Sequence, residues 1–280
     1  MSYGPRPWQQ AHWDWRAAGN FICGGAGSGL IVGAALAGAP GLPLLAGLAL
    51  VGLGLFCVWL EIGRPLRAIN VFRNPRTSWM TREAIAAVLV FAMGGAALLT
   101  PRDVSGWVWA WAAGAGALAF LYCQARMLRA ARGIPAWREP RIVPLLVVTG
   151  LAEGGGLLFV LLPLRAAGDP LWIAGLALLL VLRMLAWIAY RRRLAIGLRE
   201  HPQLAHAGQV LAVAGTLLPL LALTNLAAGF AGDTLAMALA ATAGAAAAGA
   251  GSFVKFTLIT RVALNQGFAL AQLPVRGVRP

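Results

Sequence analysis

Residues 41–60 read GLPLLAGLALVGLGLFCVWL, and this run of 20 residues without a charged side chain decides the fold. At 1.5 Å per helical residue, such a run crosses about 30 Å of hydrocarbon, the thickness of a bilayer core. The next segment, residues 61–83, reads EIGRPLRAINVFRNPRTSWMTRE and carries five arginines between Glu61 and Glu83. A second apolar run follows at residues 84–100. Alternating apolar and arginine-rich segments predict a helical membrane protein.

The composition extends this prediction to the whole chain. The 280 residues are 60% hydrophobic and only 11% charged, and the mean hydropathy is +0.75. A soluble domain of this length does not hide so much apolar surface. We therefore predict an all-α integral membrane protein, multi-pass in the inner (cytoplasmic) membrane. The eight expected spans are 17–38, 42–62, 83–100, 105–125, 142–164, 170–190, 207–229 and 234–260.

The basic residues predict the orientation. Of the 23 lysines and arginines, all except Arg102, Arg165 and Arg183 fall at the two ends of the chain or in the second, fourth and sixth connections. The positive-inside rule places both termini in the cytoplasm, which an even number of spans permits. The net charge of +14 does not indicate nucleic-acid binding, because the basic residues lie in short connections rather than on a soluble domain with stacking aromatics.

Two carboxylates bracket the arginine-rich segment at the expected membrane edge. Glu61 follows an apolar run, so partial dehydration should raise its pKa and allow proton exchange near neutrality. Glu83 begins the third span, where a carboxylate also complements the helix dipole. Asn20 in the first span and Tyr122 in the fourth are candidates to hydrogen-bond a polar head group, and interhelical hydrogen bonding is the alternative role for both.

Three further ionisable residues fall deeper in the spans: Glu153, Arg183 and Lys255. The long basic side chains can reach back to the interface, whereas Glu153 must be protonated, paired with Arg183 or beside a water-filled path. Structural pairing and proton conduction are both open. A secondary transporter that uses these residues as an ion path is therefore an alternative function, and so is a purely structural membrane anchor.

Histidine and cysteine give no indication of a cofactor held by this chain. His12, His201 and His206 are expected outside the spans, so we predict no haem, and no Cys or His spacing is typical of a metal site.

A resemblance to a known family adds a function. The segment EIGRPLRA at residues 61–68, followed by Ser78-Trp79 and by Thr81-Arg82-Glu83, resembles the NrfD / polysulfide-reductase / dimethyl-sulfoxide-reductase membrane-anchor superfamily. GGAGSG at residues 24–29, YCQARML at 122–128 and IPAW at 134–137 resemble the sulfoxide-reductase branch. In that branch a histidine stands at the position of Glu61 and an acidic residue at that of Glu83.

The resemblance implies two four-helix bundles, residues 1–130 and 131–280. It implies a quinone site in the first bundle, for ubiquinone or menaquinone, near the face that docks a ferredoxin-like iron–sulfur subunit. That partner contacts a catalytic subunit with a molybdopterin or tungstopterin, so this chain is not catalytic alone. The family docks its soluble subunits on the side of the termini, which here predicts a cytoplasmic substrate, for example of the phenylacetyl-CoA type.

Site residues follow from the same resemblance. Glu61 and Glu83 are expected to exchange protons with the quinone, and Gly63 to let the ring approach the backbone. Arg64, Asn20 or Tyr122 would polarise a quinone oxygen.

Overall fold

A computed structural model describes residues 7–38, 41–62, 65–100, 104–229 and 232–267. These residues form helices and one isolated β-bridge, and eight of the helices are long and apolar enough to cross a membrane. The eight are α1 Trp15–Leu36, α2 Leu42–Trp59, α3 Trp79–Leu99, α4 Val104–Ala130, α5 Ile142–Leu161, α6 Pro170–Arg191, α7 Pro202–Ala227 and α8 Asp233–Thr260. Within the described residues, the number of helices able to span a membrane agrees with the predicted eight.

Local signals explain where the helices differ from the expected spans. The hydroxyl of Ser78 accepts a hydrogen bond from the backbone N–H of Thr81 (3.3 Å), so α3 begins at Trp79 rather than at residue 83. Glu83 therefore lies inside the helix. α4 continues past residue 125 to Ala130, and Leu128 in its added turn is fully buried.

The seventh helix also begins earlier than expected. Pro202 occupies its first turn, where a missing N–H costs nothing. His206 was expected outside the spans but lies on α7, with its ring edge-on to Phe253 at 5.6 Å.

The helix contacts centre on α1 and α5. α1 packs against α2, α4 and α5, while α3 packs along α4. α5 packs in turn against α6 and α8, and α7 packs against α8. Glycines permit the close approach of α1 to α5: the positions that Cβ atoms would take at Gly29 and Gly154 already lie against backbone of the opposite helix.

α1 and α7 each contain a π-helical turn, at Asn20–Gly24 and Val213–Leu217. A π-turn interrupts the regular ladder of backbone hydrogen bonds and changes which carbonyls are available to other donors. Both turns accept hydrogen bonds from buried side chains of other helices, as described below.

The two ends of the described chain lie side by side. Gln9 and Leu264 form the β-bridge, and the N–H of Asn265 donates to the carbonyl of Trp8 at 3.0 Å. The side chain of Gln10 donates to the carbonyl of Ile259 near the end of α8 (3.1 Å). The segment before α1 is thereby fastened to the segment after α8.

Candidate functional site

A cavity of about 500 Å³ opens where the start of α1, the end of α2 and the start of α3 meet. We call it the α1–α3 cavity. It lies at the end of the helices that carries the arginine-rich connections. Its lining residues are Trp13, Ala17, Asn20, Phe21, Leu55, Val58, Trp59, Glu61, Ile62, Ala68, Val71, Met80, Glu83, Ala84 and Met127.

Apolar and aromatic side chains form most of the wall. The ring of Trp13 lies 6.0 Å from that of Phe21 and 4.9 Å from that of Trp137, which is buried. Trp13 resembles an interfacial anchor in the sequence, but these contacts hold it against the protein. A wall of this kind suits a flat apolar molecule whose few polar atoms need specific partners.

Two polar residues of the lining, Asn20 and Glu83, form an amide–carboxylate cluster with Gln124, and all three are buried. The side-chain amide of Gln124 donates to the backbone carbonyl of Asn20 at 2.9 Å. The Asn20 and Gln124 amides also lie 3.4 and 3.5 Å from Oε1 of Glu83, at the long end of hydrogen-bond range. Two amide donors therefore hold one carboxyl at the cavity, with room for tighter contacts to a ligand.

Asn20 has an acceptor to spare. Its Oδ1 atom is buried and has no hydrogen-bond partner among the described residues. A buried polar atom without a partner costs about 1–3 kcal/mol, so such atoms are usually satisfied by water or a ligand. Asn20 lines the cavity, so a ligand hydroxyl that reaches this oxygen would satisfy it.

Glu61 lines the same cavity but is only half-buried. Burial raises the pKa of its carboxyl, the nearby Asp14 raises it further, and the Arg16 guanidinium opposes both. Asp14 and Arg16 form an ion pair of 2.9 Å, and Arg16 also donates to the carbonyl of Leu60 at 3.1 Å. This pair joins the start of α1 to the end of α2 beside Glu61.

The structure thus brings together three of the six predicted site residues: Glu61, Glu83 and Asn20. Gly63 and Arg64 lie outside the described residues. Tyr122 does not line the cavity. It is 42% exposed on the outer side of α4, where its hydroxyl accepts a hydrogen bond from Arg126 at 2.8 Å.

Gln124 is the residue that the sequence analysis missed. It stands two positions after Tyr122, and two helical residues turn the side chain by about 200°, so the two point to opposite sides of α4. The signal was available, because Gln124 is the only amide side chain of α4.

A second buried polar group lies next to this cluster. The ammonium of Lys255 lies 2.6 Å from Oε2 of Glu153 and donates to the carbonyl of Phe21 at 2.9 Å. Of the three states considered for Glu153, the pairing with Arg183 is not formed, since no ion pair joins them in the described part of the chain. Lys255 does not reach back to the interface either: its side chain is 1% exposed.

Arg183 instead donates hydrogen bonds to backbone carbonyls. Its guanidinium donates to the carbonyl of Ala247 at 2.6 Å and to that of Gly215, which lies in the π-turn of α7. Arg183 is fully buried, so it also does not extend to the interface. Tertiary contacts at membrane depth therefore outweigh snorkelling for both basic side chains.

Glycines make room for each of these polar groups. A Cβ on Gly24 would come within 2.7 Å of the Gln124 amide, and one on Gly251 within 2.7 Å of Glu153 Oε1. At Gly25 it would collide with the Lys255 ammonium. Glycines, which allow close helix packing in lipid, thus also accommodate buried polar side chains here.

No protein-family model matches the chain, and no curated protein matches it significantly. The geometry of the α1–α3 cavity and the sequence motifs are therefore the indications of function.

Proposed function

We propose that this chain is the quinone-reactive membrane anchor of a molybdenum or tungsten iron–sulfur oxidoreductase. It would pass electrons between a ferredoxin-like iron–sulfur subunit and the quinone pool. The observation that carries the proposal is the meeting of Asn20, Glu61 and Glu83 at one apolar cavity. Asn20 and Glu61 are 41 positions apart in the sequence, yet both line the cavity together with Glu83 of α3.

The lining fits a quinone chemically. A volume of about 500 Å³ lies within the range of about 300–1,000 Å³ typical of small-ligand pockets. Leu55, Val58 and Met80 supply apolar contact for a ring and the first part of its tail. The buried Oδ1 of Asn20 supplies an acceptor that matches a quinol hydroxyl. A bound quinone would take up two electrons and two protons.

Proton exchange is the role of the two carboxyls. Glu83 is held from the protein side by the amides of Asn20 and Gln124. Glu61 is half-buried, and its raised pKa favours a carboxyl that can hold a proton closer to neutral pH. We assign Glu83 to the ligand side of proton transfer and Glu61 to exchange with the aqueous side.

The arrangement of the complex follows from the same proposal. The chain forms two four-helix bundles, α1–α4 and α5–α8, consistent with the contacts of α1 and α5. Both termini are cytoplasmic in this proposal, on the basis of the arginine-rich connections. The pairing of Gln9 with Leu264 is compatible with it, since it places the two ends of the described chain on one side. The soluble subunits then act in the cytoplasm, where a phenylacetyl-CoA-type thioester is a substrate of suitable chemistry.

Quinone binding by the purified full-length chain tests the proposal. In lipid nanodiscs, decylubiquinone and a short-chain menaquinone analogue are titrated separately and tryptophan quenching is recorded. We expect saturable quenching in the wild type. Ala84→Phe should lower the affinity for the quinone analogue at least tenfold, because the new ring fills the cavity. Ala92→Phe is the matched control: the same substitution at an exposed position of the same helix.

The outcomes separate the candidate functions. Absence of saturable binding, or equal binding by Ala84→Phe and wild type, contradicts the quinone site. Co-purification of an iron–sulfur subunit without quinone binding would indicate a purely structural anchor. A chain that purifies alone and binds no quinone would leave the transporter alternative.

A further inference from the structure

A second cavity lies on the other half of the molecule, between α6 and α7. It measures about 480 Å³, and we call it the α6–α7 groove. Its walls come from the last two turns of α6, the short helix Ile196–Arg199 and the first part of α7. No residue of the α1–α3 cavity contributes to it, so the quinone proposal does not account for this groove.

One end of the groove is cationic. Arg191, Arg192 and Arg199 line it, and Glu200 is the single acidic residue in the lining. Arg191 donates to the carbonyl of Arg199 at 3.3 Å, which fixes its guanidinium at the groove. The Nε atom of Arg191 is buried and has no hydrogen-bond partner among the described residues. The groove therefore has a net positive charge and an unused donor.

The other end is apolar and lies within the membrane-spanning helices. Trp187 packs against Gly208, where an added Cβ would come within 3.0 Å of the indole nitrogen. Met184, Ile188 and Ala212 continue the surface toward the middle of α6 and α7. A ligand that matches both ends needs an anion at the membrane edge and an alkyl chain that enters the hydrocarbon layer.

We propose that the α6–α7 groove binds an anionic phospholipid, with its phosphate at the three arginines and an acyl chain along Met184 and Ile188. Basic pockets between transmembrane helices near the cytoplasmic leaflet suit lipid phosphates. Guanidinium groups bind phosphate oxygens through paired N–H donors. Inorganic phosphate shares the anionic chemistry, but it leaves the apolar end of the groove without a partner.

Isothermal titration of the detergent-purified full chain tests this site. Dioctanoylphosphatidylglycerol is compared with dioctanoylphosphatidylcholine, which has the same chains but no net charge, and with glycerol 3-phosphate, which has no chains. We expect phosphatidylglycerol to bind most tightly. At about 1 kcal/mol for each basic residue near the surface, Arg192→Gln combined with Arg199→Gln should weaken it about 30-fold.

Two further variants keep the test specific. Arg193→Gln removes an exposed arginine next to the groove that does not line it, and it should leave the affinity within about twofold. Gln209→Glu adds a negative charge at an exposed lining position and should weaken binding without touching an arginine.

Three results would overturn the site. The first is equal affinity for phosphatidylglycerol and phosphatidylcholine. The second is an equal loss of affinity for phosphatidylglycerol in Arg193→Gln and in the double variant. The third is binding of glycerol 3-phosphate as tight as that of phosphatidylglycerol. The last result would indicate an adventitious phosphate site. None of these measurements depends on quinone binding.

Discussion

The ammonium of Lys255 and the carboxylate of Glu153 form an ion pair of 2.6 Å that neither water nor lipid reaches. Lys255 also donates to the carbonyl of Phe21, so one side chain of α8 joins α5 and α1. An ion pair in so apolar a setting loses its solvation on both sides, and the remaining contacts must compensate. The pair therefore connects the half of the chain that holds the α1–α3 cavity to the other half.

Lys255→Met should destabilise the protein strongly, because it leaves Glu153 buried without its partner. Removal of one member of a buried pair typically costs about 3–5 kcal/mol. Thermal or denaturant unfolding in detergent, followed by circular dichroism, measures the change. The double variant Glu153→Leu with Lys255→Met removes both charges and should be more stable than Lys255→Met alone. If the double variant is the less stable of the two, the pair is not the source of the loss.

Gly251→Ala should destabilise the same region by a steric route. A Cβ there would come within 2.7 Å of Glu153 Oε1 and within 3.0 Å of Thr149. Overpacking of this kind costs about 1–3 kcal/mol. Gly249→Ala on the same helix is the control, since nothing lies within 4 Å of its added Cβ. The control should be neutral or slightly stabilising, because alanine favours helix over glycine. Equal unfolding midpoints for the two variants would contradict the contact.

Gln124→Leu should weaken quinone-analogue binding about tenfold while the chain stays folded. The substitution removes the donor to the Asn20 carbonyl and one of the two amides at Glu83, so the carboxyl loses its fixed position. Tyr122→Phe should bind normally, because its hydroxyl faces Arg126 on the outer side of α4. Tryptophan quenching in nanodiscs measures both. If Tyr122→Phe bound the analogue weakly and Gln124→Leu bound it normally, Tyr122 rather than Gln124 would belong to the ligand site.

The charge state of Glu61 should respond to Asp14. Asp14→Asn removes a negative neighbour and frees Arg16 from its ion pair, and both changes lower the raised pKa of Glu61 toward 4.5. Arg16→Gln should move that pKa upward. Infrared difference spectra of the protonated carboxyl across pH 4–8 follow the titration, with Glu61→Gln to identify the band. The opposite order of the two variants would contradict the electrostatic account.

The raised pKa of Glu61 also sets the sign of a stability change. Between the ordinary pKa of about 4.5 and the raised native value, the folded chain holds the proton more tightly than the unfolded chain does. The contribution of Glu61 to the free energy of unfolding is therefore fully present below pH 4.5 and is lost as the pH rises through that window. Glu61→Gln should remove this part of the pH dependence, which unfolding midpoints measured in pH steps can detect.

The spans were predictable because membrane thickness fixes their length and hydropathy marks them. Their ends depended on local chemistry: the hydroxyl of Ser78 starts α3 four residues early, and Pro202 starts α7. Both signals are present in the sequence, as a serine three residues before a threonine N–H and as a proline at a helix start. The predicted starts of α3 and α7 followed the hydropathy of the later residues instead of these two signals.

The candidate site was predictable only in part. Glu61 and Glu83 are conspicuous in the sequence because a carboxylate beside lipid is energetically costly, which suggests a function for each. Gln124 carries no charge and was hidden beside Tyr122, whose side chain points away from it. The sequence placed two cations, Arg183 and Lys255, at membrane depth, but the choice between them as the partner of Glu153 depends on how α5 and α8 pack.

The π-turn at Asn20–Gly24 makes α1 sensitive to the deletion of a single residue. Deletion of one amino acid within it would let the ladder close as an ordinary α-helix, with Trp15–Gly19 and Gly25–Leu36 in nearly the same relative register, because a π-turn accommodates one extra residue. The carbonyls of Asn20 and Phe21, which accept from Gln124 and Lys255, would then bond within the helix instead, while hydropathy and span length stayed nearly unchanged. Natural variants in this helix should therefore tolerate substitutions at lipid-facing positions far better than a one-residue gap.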